Sequence, residues 1–376
     1  MISVIGRRRV GKTFLIRTVY GDYLDFEVSG IQDAKGNEQL RNFYQRLREF
    51  FPDFTDKKPP SDWLDAFFRL SELLDKKSKP GKKVIFLDEV PWMATHKSGF
   101  LRGLSFFWNS WAERKNVVVV LCGSAASWMI QKLLRNKGGL HNRVTRRLRL
   151  RPFNLAETKA FLRQRQVVLN HYQLLQLYMV MGGIPHYLKE VQTGQSAAQI
   201  IQRVCFQEDG LLREEFLSLY PALFQHADYH VAIIRALAKK HNGLSRSALV
   251  TAAGLSGGGR VTQVLSELLE SGFITSYPAY GKKKKEQLYR LTDEYSLFYL
   301  RFIEPNHPKW RLLDGSKSNA TLQNLVWLRL RKCLFATRRT IEKSTWYSRH
   351  LFYLRYFLQI RNRHLGRYAN QPAHRP

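Results

Sequence analysis

Near its start the chain carries Gly6-Arg7-Arg8-Arg9-Val10-Gly11-Lys12-Thr13, two glycines with four residues between them and lysine and threonine directly behind the second. The β-branched run Ile2-Ser3-Val4-Ile5 leads into it, and Phe14-Leu15-Ile16-Arg17 carries on as the start of a helix. Such a loop, set between a buried strand and a helix N-terminus, constrains the fold more than any other segment. Gly6 and Gly11 let backbone N–H groups turn inward around phosphate oxygens, and the helix behind them adds the positive end of its dipole. Lys12 is expected to reach the β- and γ-phosphates, and the Thr13 hydroxyl to bind Mg²⁺. The spacing therefore predicts that the whole loop, Arg7, Arg8, Arg9 and Val10 included, lines a nucleotide. A chance glycine-rich turn is the alternative for this motif taken alone.

A second motif answers the first. Val84-Ile85-Phe86-Leu87 is a continuous apolar run that ends in Asp88-Glu89. Ligands of open α/β sheets bind beyond the carboxyl ends of the strands. Asp88 is the candidate for holding Mg²⁺ through its shell, and Glu89 for orienting and deprotonating the attacking water. Val117-Val118-Val119-Val120-Leu121-Cys122 is a third buried-strand run, closed by Gly123-Ser124. Ser124 is a candidate sensor of the γ-phosphate or of that water; equally, it is a candidate cap for a helix over Ala125 to Leu134. Tyr23 to Val28 and Arg146 to Leu150 read as further strands. Helical stretches over Asn37–Phe51, Pro60–Leu74 and Phe100–Glu113 separate the strands. This alternation predicts an α/β domain with a parallel sheet over 1–155.

With these residues together, and with Leu87-Asp88-Glu89-Val90-Pro91-Trp92 and Cys122-Gly123-Ser124 among them, the chain resembles the archaeal-type ATPases. These are P-loop proteins of the AAA+/STAND kind. The likeness continues through Leu150-Arg151-Pro152-Phe153-Asn154-Leu155 and Gly182-Gly183-Ile184-Pro185-His186-Tyr187, and spans about Met1 to Trp327. It implies an ATP-binding protein that hydrolyses ATP slowly as a conformational switch, with Mg²⁺ as cofactor. It also implies that Arg143 is a candidate arginine finger on a neighbouring nucleotide, which would require a homo-oligomer. Arg146 and Arg147 compete for that role, and a purely structural arginine remains open. Pro185 looks like the proline that STAND-type proteins place beside adenine; an ordinary helix-ending turn is the other reading. One departure stands out: relatives usually have a segment before the first strand that helps to enclose the base, whereas this chain begins five residues before Gly6.

Residues 156–227 read as a helical lid by apolar spacing, for example Leu174, Leu177, Tyr178 and Met181. Over 228–305 the pattern becomes three short helices, His230–Lys240, Ser245–Ala253 and Gly259–Ser271, and then a hairpin of Phe273-Ile274 with Gln287–Leu291. This predicts a winged helix-turn-helix. Gly259 to Ser271 would enter the major groove of duplex DNA, and Lys282 to Lys285 would lie along phosphates. A protein-docking winged helix with a solvated lysine loop is the alternative.

Charge needs dissection before it is read as a nucleic-acid signal. The net charge is +31, but Leu328 to Pro376 alone holds 12 Lys+Arg against one acid and so contributes +11, leaving +20 for the rest. A polyanionic partner fits that remainder. After a linker over 306–327, the tail over 328–376 loses acids and steady periodicity. It reads either as a basic-aromatic arm or as the product of a frameshift. Codons permitted for Trp327 onward, read one nucleotide later, can restore an amphipathic helix resembling the restriction-endonuclease-like domain that commonly follows this ATPase. Cys122, Cys205 and Cys333 lack metal-ligand spacing, and no apolar run reaches the roughly 18 residues of a membrane helix. These features, with no signal peptide, predict a cytoplasmic protein without a membrane partner. A DNA-binding regulator with ATP as a structural ligand, or an inactive degenerate product, is the rival to the switch.

Overall fold

A computed structural model of the chain describes residues 1–306 except 78–80, 96, 125–127, 135–138, 141, 225 and 279–286. Lys282 to Lys285, most of the expected linker and the tail lie outside the described residues. The first half is a sheet of five parallel strands: β1 (Ile2–Gly6), β2 (Leu24–Ser29), β3 (Lys83–Asp88), β4 (Val117–Gly123) and β5 (Arg146–Leu150). Their order is β2-β3-β4-β1-β5. Thus β4 separates the strand that feeds the glycine loop from the strand that ends in Asp88, and all three carboxyl ends open on one edge.

The central strands are near-continuous apolar runs because helices cover both faces, which is the usual requirement of a parallel sheet. Those helices are α1 (Lys12–Tyr20), α2 (Gly36–Phe50), α3 (Trp63–Lys76), α4 (Val90–Met93) and α5 (Phe100–Ser110). Trp63, Phe43, Phe67 and Phe100 are fully buried and pack ring to ring, with Trp63 and Phe100 edge to face at 4.8 Å. Helix α3 starts at Trp63 and not at the expected Pro60. The reason is the Asp62 side chain, which accepts the Asp65 amide at 2.9 Å and fixes the N-cap there. Helix α5 stops at Ser110, and a 3₁₀ turn over Ala112–Arg114 takes the place of its expected last turn.

The second half is helical and then mixed. Helices α6 (Leu155–Gln164), α7 (His171–Met181), α8 (Pro185–Leu188), α9 (Ala197–Phe206) and α10 (Glu215–Leu219) come first. Asn154 starts α6 with a capping box, its side chain accepting the Glu157 amide while Glu157 reaches back to the Asn154 amide. There follow α11 (Asp228–Ala238), β6 (Leu244–Ser245), α12 (Arg246–Ala252), α13 (Gly259–Ser271), β7 (Ile274–Pro278), β8 (Gln287–Leu291) and α14 (Glu294–Phe298). The three strands form an antiparallel sheet in the order β6-β8-β7. Ser245 caps α12 by accepting the Ala248 amide at 3.3 Å. One apolar core runs through this half from Leu162 to Ile303, and it takes in Val10 of the glycine loop. Among the described residues, no helix is long and apolar enough to cross a membrane.

Candidate functional site

The loop turns out of β1 with little space to spare. A Cβ at Gly6 would stand 2.4 Å from the Leu150 carbonyl oxygen, so only glycine lets β1 and β5 approach there. Arg9 and Gly11 hold positive φ of 70° and 90°, which turns successive N–H groups toward one concavity ahead of α1. Lys12 is buried, and its Nζ donates to the carbonyls of Gly6 at 3.0 Å and Arg7 at 2.8 Å, and to Ser124 Oγ at 2.8 Å. The lysine thus spans its own loop and the end of β4.

The acids of β3 complete the edge. Thr13 Oγ1 donates to Asp88 Oδ2 at 2.6 Å, joining two residues 75 positions apart. A hydroxyl and a carboxylate side by side are hard oxygen donors of the kind Mg²⁺ accepts. Glu89 sits at φ 46° and ψ 48°, a left-handed conformation unusual for a residue with a side chain. In this position its carboxylate accepts the Ser124 amide at 3.0 Å and the Ser124 hydroxyl at 2.6 Å. Ser124 therefore accepts from Lys12 and donates to Glu89, an arrangement that neither sequence reading of Ser124 contains. The capping alternative concerns 125–127, outside the described residues. Burial first, and then the nearby Asp88 charge, push the Cys122 thiol well above its ordinary range. Cys122 and Cys205 are both buried.

Not every expected residue turns to this edge. The Arg7 side chain is buried and pairs with Asp293 at 2.6 Å, its guanidinium 4.1 Å from the centre of the Phe273 ring. Arg9 pairs with Glu215, and Val10 is sealed in the apolar core of the second half. In these three, buried acids and an apolar core claim the side chains, which leaves the loop's backbone for a phosphate. Arg8 is half-buried. Arg143 pairs with Glu113, and its carbonyl accepts the Met1 amine at 3.3 Å. That places it at the amino end of β1, across the sheet from the glycine loop of its own chain. Pro185 opens α8 just after α7 ends at Gly182, and the neighbouring Tyr187 ring lies 5.9 Å from the Arg9 guanidinium. The Pro185 segment is thus carried to the loop's flank. Burial, followed by the charge of Arg9, lowers the His186 pKa.

Sequence reasoning missed Asp293, Glu215 and Phe273. Asp293 also caps α14, its side chain accepting the Ser296 amide. The available signal was Val10, an apolar residue inside a phosphate-type loop, which requires something apolar to cover it.

Comparison with known proteins agrees with this geometry. A family described as "ATPase domain predominantly from Archaea" matches residues 1–191. An uncharacterized protein of Methanocaldococcus jannaschii is 24% identical over 317 residues, which are 81% of this chain and 64% of that protein. The chain therefore spans less than two thirds of that relative's length. Among solved structures, the Walker-type ATPase of Pyrococcus abyssi aligns with a TM-score of 0.56 at 18% identity, over 80% of this chain and 90% of that one. The ORC2 protein of Aeropyrum pernix aligns at a TM-score of 0.49 and 16% identity, over 84% and 89% of the two chains. With the glycine loop, the acid-ended strand and a family match over half its length, the chain belongs to the archaeal-type P-loop ATPases.

Proposed function

We propose that this protein binds Mg-ATP at the edge formed by the glycine loop, Asp88, Glu89 and Ser124, and hydrolyses it slowly as a conformational switch. The observation that carries the reading is the convergence of Lys12, Thr13, Asp88, Glu89 and Ser124 from three strand ends on one spot. In this reading the amides from Arg7 to Thr13 hold the phosphates, and Lys12 exchanges some of its carbonyl partners for phosphate oxygens. Thr13 and Asp88 would hold Mg²⁺, which supplies charge neutralisation on the phosphates when bound. Glu89 orients and deprotonates water, but only after its carboxylate leaves Ser124. Ser124 thus keeps the base in reserve until a phosphate draws Lys12 and the serine into a new arrangement. Arg143 acts on the nucleotide of a second copy, because it sits at the far end of its own sheet. Pro185 flanks the base from α8.

The test is phosphate release and Mg-ATP binding measured side by side for wild type and Glu89→Gln. Turnover is expected to fall by about 10²-fold or more while binding stays close to wild type. Normal turnover in the variant would remove Glu89 from the mechanism.

The second half supports a partner reading. Helix α11, strand β6, helices α12 and α13 and the β7–β8 pair follow one another as in a winged helix-turn-helix, and the residues before them form the lid. We assign duplex DNA as the partner, with α13 in the major groove and Lys282 to Lys285 on phosphates. Exposed Arg260 on α13, 4.0 Å from the Tyr229 ring centre, is a cation available to such a surface. ATP turnover with and without duplex DNA across a salt series separates a DNA-coupled ATPase from a regulator that holds ATP as a structural ligand. The coupled switch predicts a DNA effect that fades as salt rises.

A further inference from the structure

We infer that Asp293 and Glu215 are positioning residues for the phosphate loop, which hold its backbone in shape from the second half of the molecule through Arg7 and Arg9. The inference rests on the nucleotide reading of that loop given above. Three of the four residues between Gly6 and Gly11 are anchored away from the sheet. Arg7 reaches Asp293 at the start of α14, Arg9 reaches Glu215 at the start of α10, and Val10 enters the core between Leu162 and Ile303.

The first anchor is itself built in depth. Asp293 Oδ1 accepts Arg7, while its Oδ2 accepts the Ser296 amide at 3.0 Å and the Ser296 hydroxyl. Ser296 Oγ shares a 2.9 Å hydrogen bond with Tyr220, and the Asp293 amide donates to the Phe273 carbonyl at 3.2 Å. With side-chain exposures of 5% for Arg7 and 1% for Asp293, removing either partner leaves a buried charge unmatched. From Arg7 the connection runs on, since its carbonyl is one of the three partners of Lys12 Nζ. A line of polar contacts therefore joins α14 to the lysine of the glycine loop.

The second anchor sets backbone shape. Arg9 occupies the left-handed region at φ 70°, which costs a non-glycine residue free energy unless its surroundings hold it there. Glu215 does so, steadied by the Tyr187 hydroxyl, which donates to its carboxylate at 2.9 Å. The N–H groups of Arg9, Val10 and Gly11 point where they do because of that conformation. A shift of α10 or α14 relative to the sheet is consequently felt at the amides that would cradle phosphate. By linkage, a ligand that moves those helices alters nucleotide affinity, and nucleotide alters the affinity for that ligand by the same factor.

The experiment is calorimetry with Mg-ADP on the full chain, each protein first verified as folded by circular dichroism at the assay temperature. Asp293→Asn keeps one oxygen for the helix cap and removes the charge together with the acceptor that takes Arg7; Glu215→Gln removes the charge and one acceptor oxygen at the more open pair. Each is expected to raise Kd about tenfold or more, the order lost with one charge-assisted hydrogen bond. The exchange of Arg9→Glu with Glu215→Arg should recover affinity relative to either single change, a rescue that a merely structural role does not give. Folded variants with wild-type Kd, or an exchange no better than its single parents, overturn the inference. Should Asp293→Asn not fold, Glu215→Gln and the exchange decide alone. If wild type itself gives no heat with Mg-ADP, the nucleotide reading falls and the anchors lose their purpose with it. Wild-type binding with unaffected variants sinks the anchors only.

Discussion

The parallel sheet and the second half of the molecule meet the glycine loop in opposite ways. On the sheet side, Lys12, Thr13, Asp88 and Ser124 come from the loop or from strand ends, with Lys12 tied to Ser124 at 2.8 Å and Thr13 to Asp88 at 2.6 Å. On the other side, Arg7 and Arg9 are gripped by Asp293 and Glu215, 286 and 206 positions away, and Val10 by an apolar core of the second half. The first set is complete once β1, β4 and β3 lie side by side in the sheet. The second exists only when the whole chain has folded. The chemistry of this edge is thus installed by the sheet, whereas its alignment is set by the helical half.

Two core substitutions probe that comparison at its largest scale. Trp63→Ala empties a fully buried site under the sheet, and Phe216→Ala empties one in the second half, where Phe216 stacks on Tyr299 at 4.5 Å. Each should cost about 3–5 kcal/mol in denaturant unfolding. Because Arg7, Arg9 and Val10 join the halves, both variants should still unfold in one transition; separate transitions would show the halves to be independent. As a control, Phe68→Ala removes an exposed ring and should stay within about 0.5 kcal/mol of wild type.

A smaller effect sharpens the view of α14. Burial, with Asp293 adding to it, raises the Glu294 carboxyl from its ordinary 4.5 to about 7. Between these values the folded protein keeps a proton that the unfolded chain has released, so this group makes stability fall as pH rises through the window. Glu294→Gln should flatten that fall in thermal melts run from about pH 5 to about pH 8. A wild-type pH slope left intact in the variant would place the titration elsewhere. A local change is expected at the join of the two halves, where Asn154→Ala removes the capping box of α6. A loss of about 1 kcal/mol is expected in the same denaturant assay, and no loss would mean that packing alone starts that helix.

How far the sequence could be read follows the same division. Strands β1 and β4 overrun their expected bounds by one residue and β3 by one at each end, because buried parallel strands are unbroken apolar runs that end where polar chemistry begins, while the edge strand β5, Arg146–Leu150, matches its bounds without being such a run. Helix α13 also kept its bounds, set by glycines at both ends and an apolar stripe of Val261, Val264, Leu265 and Leu268. Strand β6 and helix α4 went unseen, since two and four residues carry no period. At the site, Lys12 and Thr13 stood out as candidates by the glycine spacing, and Asp88 and Glu89 by the end of an apolar run. The pairing of Ser124 with both Lys12 and Glu89 was not, and neither were Asp293 and Glu215. Those depend on which residues the fold brings together, and a carboxylate's neighbours in space leave no trace in its neighbours along the chain.

The account stands most directly on calorimetry of wild type and Lys12→Ala with Mg-ATP. Wild type should give a saturable binding heat, and Lys12→Ala should give none while keeping the wild-type circular dichroism spectrum. No heat from folded wild-type protein, or an unchanged affinity in Lys12→Ala, would contradict a triphosphate site at this loop.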